Sequence, residues 1–337
     1  MANYKTCRTC GAPLHDDDIA IYRKLVYRGA EDFFAFRRFG VFIYKKSISQ
    51  KGDTTMADTI SVSIIITFAA ELLFSLALPI LALVIWKKKE GTELRPAWIG
   101  AAAYFVFGMV LEQLINAAVL GTGSSAVSAF LLGHPWLYAV YGGLSAGILE
   151  ETARFLVYRT MLKDSVGREN AVTFGIGFGG LECIMVLGLT VLSTLMMSIS
   201  FNNMGAEAFA AQYANSEYQI VLETIAEINA ISPLAGVMNC VERAAVFALQ
   251  IELSVLMFGV VRSQKFWLYP VSILLHAVVG FLAALYQTNV LTSVYLLEVL
   301  LVVYAVAVFF LARKVYCELP MEKPRELDHF GRVIKRK

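Results

Sequence analysis

Charge is scarce in this chain. Of 337 residues, 29 are Lys or Arg and 27 are Asp or Glu, 17% in all, where a soluble domain carries about a quarter. With 58% of residues hydrophobic, that scarcity excludes an ordinary soluble domain. The net charge of +2 is too small to argue for nucleic acid as a partner. Cysteine is scarce as well. The five cysteines, Cys7, Cys10, Cys183, Cys240 and Cys317, do not make a secreted disulfide framework. A cleavable signal peptide is missing, because the first long apolar run starts near Thr59, too far in and too long. No clear internal repeat is visible, which disfavours the common transporter folds built from related halves.

Long apolar runs are what the chain has instead. Seven of them, near 59–86, 96–119, 136–160, 170–199, 235–261, 266–287 and 289–312, are each long enough for a span of roughly 20 apolar residues. They predict an all-α fold, a polytopic membrane helical bundle of about seven transmembrane helices. The expected organisation is an N-terminal soluble segment over 1–55, the bundle over 56–314 and a basic tail over 315–337. Trp86, Trp98, Trp136 and Trp267 stand near span ends, where aromatic side chains form interfacial belts.

The loops alternate in charge. Those after spans one, three and five carry Lys87, Lys88, Lys89 and Arg95, then Arg159, Lys163 and Arg168, then Arg262 and Lys265. The loop over 121–132 has no charge, and the one over 201–232 has acids but no Lys or Arg. The tail begins Arg313-Lys314 and ends Lys335-Arg336-Lys337. Basic residues collect on the cytosolic side, so the pattern places the start of span one outside and the C-terminus in the cytosol of a plasma membrane.

Residues 1–55 conflict with that topology. They hold ten Lys/Arg against six Asp/Glu, and they would be exported. Cys7-Arg8-Thr9-Cys10-Gly11 looks like half of a zinc ribbon, with His15 the only other soft ligand nearby. A closed zinc site needs four ligands, so the expectation is a metal-free knuckle. Met56-Ala57-Asp58-Thr59 reads like an ordinary N-terminus, so Met56 is the expected natural start, the alternative being that 1–55 is a fused module.

The functional signal lies over 147–182, where Glu150, Glu151 and Arg154 fall inside span three and Glu182 inside span four. A carboxylate in hydrocarbon is costly and by default marks a site. Counting about 1.5 Å per residue, these groups, His276 of span six and Gln250 of span five reach a similar depth. Glu150 and Glu151 are adjacent and so point about 100° apart. Arg154 is i+4 from one and i+3 from the other, so it can pair with either. The carboxylate left over is the candidate to take a proton from water and give it to a leaving amine. Glu182 and His276 can serve as second base, orienter or oxyanion donor. Gly175, Gly177, Gly179 and Gly180 would let a neighbouring helix or a substrate backbone approach closely. A second polar group, Glu71, Glu112, Asn116, Asn239 and the pair Glu242-Arg243, is expected nearer the outer face as a lock between helices. Glu252 and Glu298 are lone membrane acids without an assigned role.

Glu150-Glu151-x-x-Arg154, Gly175-x-Gly177-Phe178-x-x-x-Glu182, Glu242-Arg243 with Gln250-x-x-x-Ser254, and the late His276 together resemble the YhfC family of intramembrane proteases. That family is related to the PrsW and CAAX (Rce-type) glutamic membrane peptidases. The resemblance covers about residues 57–314. It implies a membrane peptidase in which Glu150 or Glu151 activates water, with Arg154, Glu182 and His276 in the site and Gln250, Glu242 and Arg243 supporting it. Related peptidases usually offer a histidine on the span that here carries Gln250, and Gln cannot accept a proton at neutral pH.

The expected function is therefore hydrolysis of membrane-embedded or membrane-proximal peptides, with the bilayer as surroundings, no cofactor required and metal dependence left open. The rival reading is a non-catalytic scaffold that binds membrane peptides, or a proton-coupled transporter. N-terminal sequencing of the native protein is expected to show a chain beginning at Met56 or Ala57; a chain beginning at residue 1 or 2 would overturn the internal start.

Overall fold

The computed structural model describes residues 59–121, 125–210 and 218–321; the expected knuckle of Cys7 and Cys10 and most of the basic tail lie outside them. Among the described residues there is no strand. The helices are α1 (Val62–Glu90), α2 (Arg95–Leu120), α3 (Ala126–Gly133), α4 (Pro135–Arg159), α5 (Glu169–Met204), α6 (Ala206–Ala210), α7 (Tyr218–Asn229), α8 (Pro233–Ser263), α9 (Leu268–Gln287) and α10 (Val294–Glu318). Six of them, α1, α2, α5, α8, α9 and α10, are long and apolar enough to cross a membrane. The seventh expected span is α4, 25 residues long, whose interior carries Glu150, Glu151 and Arg154. The chain is a multi-pass helical bundle.

Helix α8 is the hub. Its apolar window is 72% buried, against at most 39% in the other five. It packs on α1, α4, α5, α9 and α10. Leu253, Leu256, Met257, Phe258 and Val260 sit at its centre, with Tyr158 of α4 and Phe174 and Phe178 of α5. Lipid-facing positions stay apolar, as Ile66, Ile80, Val84, Leu274 and Val303 show by their exposure.

Helices approach closely where one of them lacks a side chain. A Cβ on Gly143 of α4 would collide with the Ala277 carbonyl of α9, and one on Gly147 would come within 2.7 Å of the Ile273 carbonyl. Lipid offers no hydrophobic drive between helices, so small residues that allow backbone contact supply the packing. The glycines of α5 work the same way toward three neighbours. Gly177 meets Ala97 of α2, a Cβ on Gly180 would lie 2.7 Å from Pro79 of α1, and one on Gly175 would lie 2.7 Å from the Ile251 Cα of α8. The expected packing role of that run is what the fold contains.

Two π-helical segments interrupt the long helices, Phe105–Leu111 within α2 and Ile184–Gly188 within α5. Such segments are rare and concentrate at functional sites.

The basic loops gather at one end of the bundle. Arg95 donates to the Met161 carbonyl at 3.2 Å, Arg262 to the Ser165 carbonyl at 3.0 Å, and the Arg168 backbone amide to the Pro320 carbonyl at 2.8 Å. At the opposite end the structure differs from the expected loop over 201–232. Helix α5 runs on to Met204 and stops at Gly205, whose φ of +80° suits glycine. Helix α7 follows, and Ile225, Ile228 and Ile231 bury themselves against Ile60, Ile64 and Phe68. Asn202 and Asn229 fasten the start of α1, the first accepting from the Ile60 amide at 2.7 Å, the second donating to the Thr59 carbonyl at 3.0 Å. The acids of this segment hid its apolar stripe.

Adjacent glycines give a direct test of the α4–α9 contact. Gly142 has open space, its nearest neighbour 4.0 Å from a built Cβ, so Gly142→Ala is expected to hold or raise the melting temperature, since alanine favours a helix by roughly 1 kcal/mol over glycine. Gly143→Ala is expected to lower it, by an amount equivalent to about 1–3 kcal/mol of overpacking. Thermal unfolding of both variants in detergent checks the opposite signs.

Candidate active site

The polar side chains of four helices meet around Arg154. This guanidinium is fully buried, so each of its donors needs a partner. Nε donates to Ser254 Oγ at 3.2 Å, Nη1 to Glu151 Oε1, and Nη2 to Gln250 Oε1. Its flat face lies over the Phe178 ring, 4.0 Å from the centroid, a cation–π contact that strengthens away from water. Ser254 is itself held, donating to the Gln250 carbonyl one turn back at 2.7 Å.

The two adjacent glutamates have different surroundings. Glu151 Oε1 is engaged by Arg154 and lies 3.0 Å from His276 Nδ1. Glu150 has looser neighbours. Its Oε2 lies 3.3 Å from Gln250 Nε2, 3.6 Å from His276 Nε2 and 3.7 Å from Arg154 Nη2. Beside Glu150 the π-helical segment of α2 brings Gly108 close, where a Cβ would lie 3.3 Å from Glu150 Oε1. His276 stands between the two carboxylates, and α9 can bring it there because Gly143 and Gly147 let the helices touch.

Gln250 joins the second carboxylate site. Its amide oxygen faces Arg154, and its amide nitrogen donates to Glu182 Oε2 as well as toward Glu150. Gly179 makes room for it, since a Cβ there would sit 2.7 Å from Gln250 Cβ. Glu182 precedes the second π-helical segment by two residues, and its Oε1 lies 3.9 Å from Arg243 Nη1. Arg243 also pairs with Glu242.

Glu150, Glu151, Arg154, Glu182, Gln250 and His276 thus form one connected network, at the common level that their depths along the spans predict. Glu242-Arg243 is not a separate lock nearer the outer face. Arg243 reaches Glu182 and extends the network, as the supporting place implied by the resemblance requires, because it lies two turns before Gln250 on the same helix. The rest of that second group is dispersed. Asn239 donates to Glu71 at 3.1 Å, and Tyr141 to Asn116 at 2.8 Å. Glu252 Oε2 and both carboxylate oxygens of Glu298 are buried without a hydrogen-bond partner among the described residues. Sequence reasoning gave no role to Phe178, Ser254 or Gly108. Ser254 had a signal, its i+4 spacing from Gln250, and Phe178 stands in the glycine motif that carries the resemblance; Gly108 acts across helices and had none.

The chain has been compared with known proteins. A family profile described as YhfC intramembrane metalloprotease matches residues 74–301. An uncharacterized membrane protein, YhfC of Bacillus subtilis (strain 168), is 33% identical over 231 residues, which is 68% of this chain and 87% of that protein. No solved structure matches significantly. The matched region holds every residue of the network.

The family description implies a metal, and the residues can be tested against one. No three His, Cys, Asp or Glu side chains among the described residues converge as a metal-binding group. Where Glu150 and Glu182 converge, the intervening group is the Gln250 amide nitrogen, a hydrogen-bond donor that cannot be a ligand. The arrangement does not fit a metal ion.

Removing the central cation should be costly. Arg154→Met leaves Glu151 buried without its charged partner, a loss of about 3–5 kcal/mol in comparable buried pairs. Arg154→Lys is expected to fall between this and wild type, since one ammonium cannot reproduce the planar fork that spans Ser254, Glu151 and Gln250. Thermal unfolding in detergent, read as the order wild type, Lys, Met, checks both.

Proposed function

The chain belongs to the YhfC intramembrane metalloprotease family, and from that premise we propose that it is an intramembrane peptidase whose general base is Glu150. The observation that carries the reading is the asymmetry between the two adjacent glutamates. Glu151 Oε1 is engaged by Arg154 and by His276 at 3.0 Å, while the neighbours of Glu150 Oε2 all lie at 3.3 Å or beyond. Glu150 is the less tightly engaged of the two; Glu151 Oε1 has the contacts of an orienting group, while its Oε2 is buried without a hydrogen-bond partner among the described residues.

In the proposed reaction the Glu150 carboxylate takes a proton from water as the water oxygen attacks the scissile carbonyl carbon. The tetrahedral intermediate collapses, the C–N bond breaks, and Glu150 returns the proton to the leaving amine. One water is consumed, and the products are a carboxylic acid and an amine. His276, oriented through Nδ1 by Glu151, turns Nε2 toward Glu150 and supports the proton transfer. Arg154 and Gln250 hold the carboxylates in register, and Arg243 steadies Glu182. The substrate is a membrane-embedded or membrane-proximal peptide, because the network lies inside the bundle. The basic end of the bundle, with the C-terminus, faces the cytosol of a plasma membrane, as the distribution of Lys and Arg favours.

Purified protein in liposomes, presented with a library of membrane-spanning peptides, is expected to cut at least one. Glu150→Gln should lower the rate by about 10²–10⁴, the contribution of a positioned general base, with the melting temperature little changed. Cleavage kept by Glu150→Gln but lost in a folded Glu151→Gln would reverse the assignment. Absence of cleavage by the wild type would favour a scaffold that binds membrane peptides without cutting them.

A further inference from the structure

The amide nitrogen of Gln250 stands where two acidic side chains meet. Two carboxylates from different helices, Glu150 of α4 and Glu182 of α5, converge there. His276 Nε2 is 3.6 Å from the same Glu150 oxygen. Carboxylates and imidazoles are the usual donors to a divalent ion, but these three do not converge closely enough to hold one by themselves. What lies between the carboxylates is the Gln250 –NH2, donating to both.

The side chain cannot simply turn round. An amide has one acceptor end and one donor end, and which end faces which way follows from the hydrogen-bond network. Here Arg154 decides it. Nη2 donates to Gln250 Oε1, and a reversed amide would set its –NH2 against the guanidinium and its oxygen against two carboxylates. Every contact would then be repulsive. Arg154 is in turn fixed by Ser254, Glu151 and the Phe178 ring, and Gly179 fixes the Gln250 stem.

We propose that Gln250, held in one orientation by Arg154, takes with its amide donors the place of a metal ion between Glu150 and Glu182, so that this chain's centre is metal-free although the family profile is described as a metalloprotease. The amide does part of what a cation would do, bringing two acidic groups from different helices to one point by hydrogen bonding. The identity of residue 250 then decides whether the centre takes a metal. The inference concerns ligand chemistry and stands whether or not the protein cuts peptides.

Metal content tests it directly. Full-length wild type, Gln250→His and Gln250→Glu would be purified in detergent, incubated with excess Zn2+, desalted and measured by elemental analysis. Each would be paired with a version that also carries Glu182→Gln. The reading is the zinc that Glu182→Gln removes, which sets aside any held by Cys7 and Cys10. Gln250→Glu keeps the shape and the acceptor for Arg154 and turns the donor into a ligand; Gln250→His supplies an imidazole. The expected result is none for wild type and about one ion per chain for at least one of the two variants, as for a completed site. Zinc in wild type that Glu182→Gln removes would overturn the proposal. So would its absence from both Gln250 variants when each retains a cooperative thermal transition, because residue 250 would then not be what decides. If neither variant folds, wild type alone decides: its own Glu182-dependent zinc, present or absent, is the reading.

Discussion

A guanidinium with no access to solvent has to be surrounded before this bundle can close. Taking an ion out of water costs several kcal/mol even after relaxation, and in a membrane the alternative of facing hydrocarbon is no cheaper. Arg154 meets that constraint with a carboxylate on its own helix, an amide and a hydroxyl on α8, and an aromatic face on α5. Three helices are therefore committed to one geometry by one side chain. His276 adds a fourth through Glu151. The network is what gives an otherwise nondirectional apolar bundle a unique arrangement at its centre.

That geometry depends on missing side chains as much as on present ones. Gly143 and Gly147 let α9 lie against α4, so His276 can stand between Glu150 and Glu151. Gly179 lets the Gln250 stem lie against α5. The two π-helical segments lie beside the same network, Phe105–Leu111 next to Glu150 and Ile184–Gly188 just past Glu182. An inserted residue shifts the facing of everything beyond it on a helix. Both π-helical segments thus lie beside the level where polar groups converge.

The adjacent acids of α4 show how one sequence motif yields two roles. Neighbouring positions on a helix differ by about 100°, so one carboxylate turns toward Arg154 and His276 while the other turns toward Gln250 and the glycine face of α2. The same division appears on α8, where Gln250 presents its oxygen to a cation and its nitrogen to carboxylates. A residue that neither gains nor loses a proton at neutral pH fits as a fixed part of the network.

The sequence by itself determined that the chain is a multi-pass helical bundle, because a bilayer requires about 20 apolar residues per span and such runs cannot be hidden. It singled out Glu150, Glu151 and Arg154 as a group, because i+3 and i+4 spacing ties Arg154 to both glutamates, but it did not sort the other acids of those runs. Helix α7 was not legible, since acids among its isoleucines masked the stripe that packs against Ile60, Ile64 and Phe68. Tertiary structure alone decided which glutamate is engaged by Arg154 and His276, that Arg243 joins Glu182 rather than a separate lock, and that the Gln250 amide points its nitrogen between two carboxylates. Each of these depends on the rotation and depth of one helix against another. Hydropathy fixes neither, because any face of an apolar helix satisfies the lipid equally well.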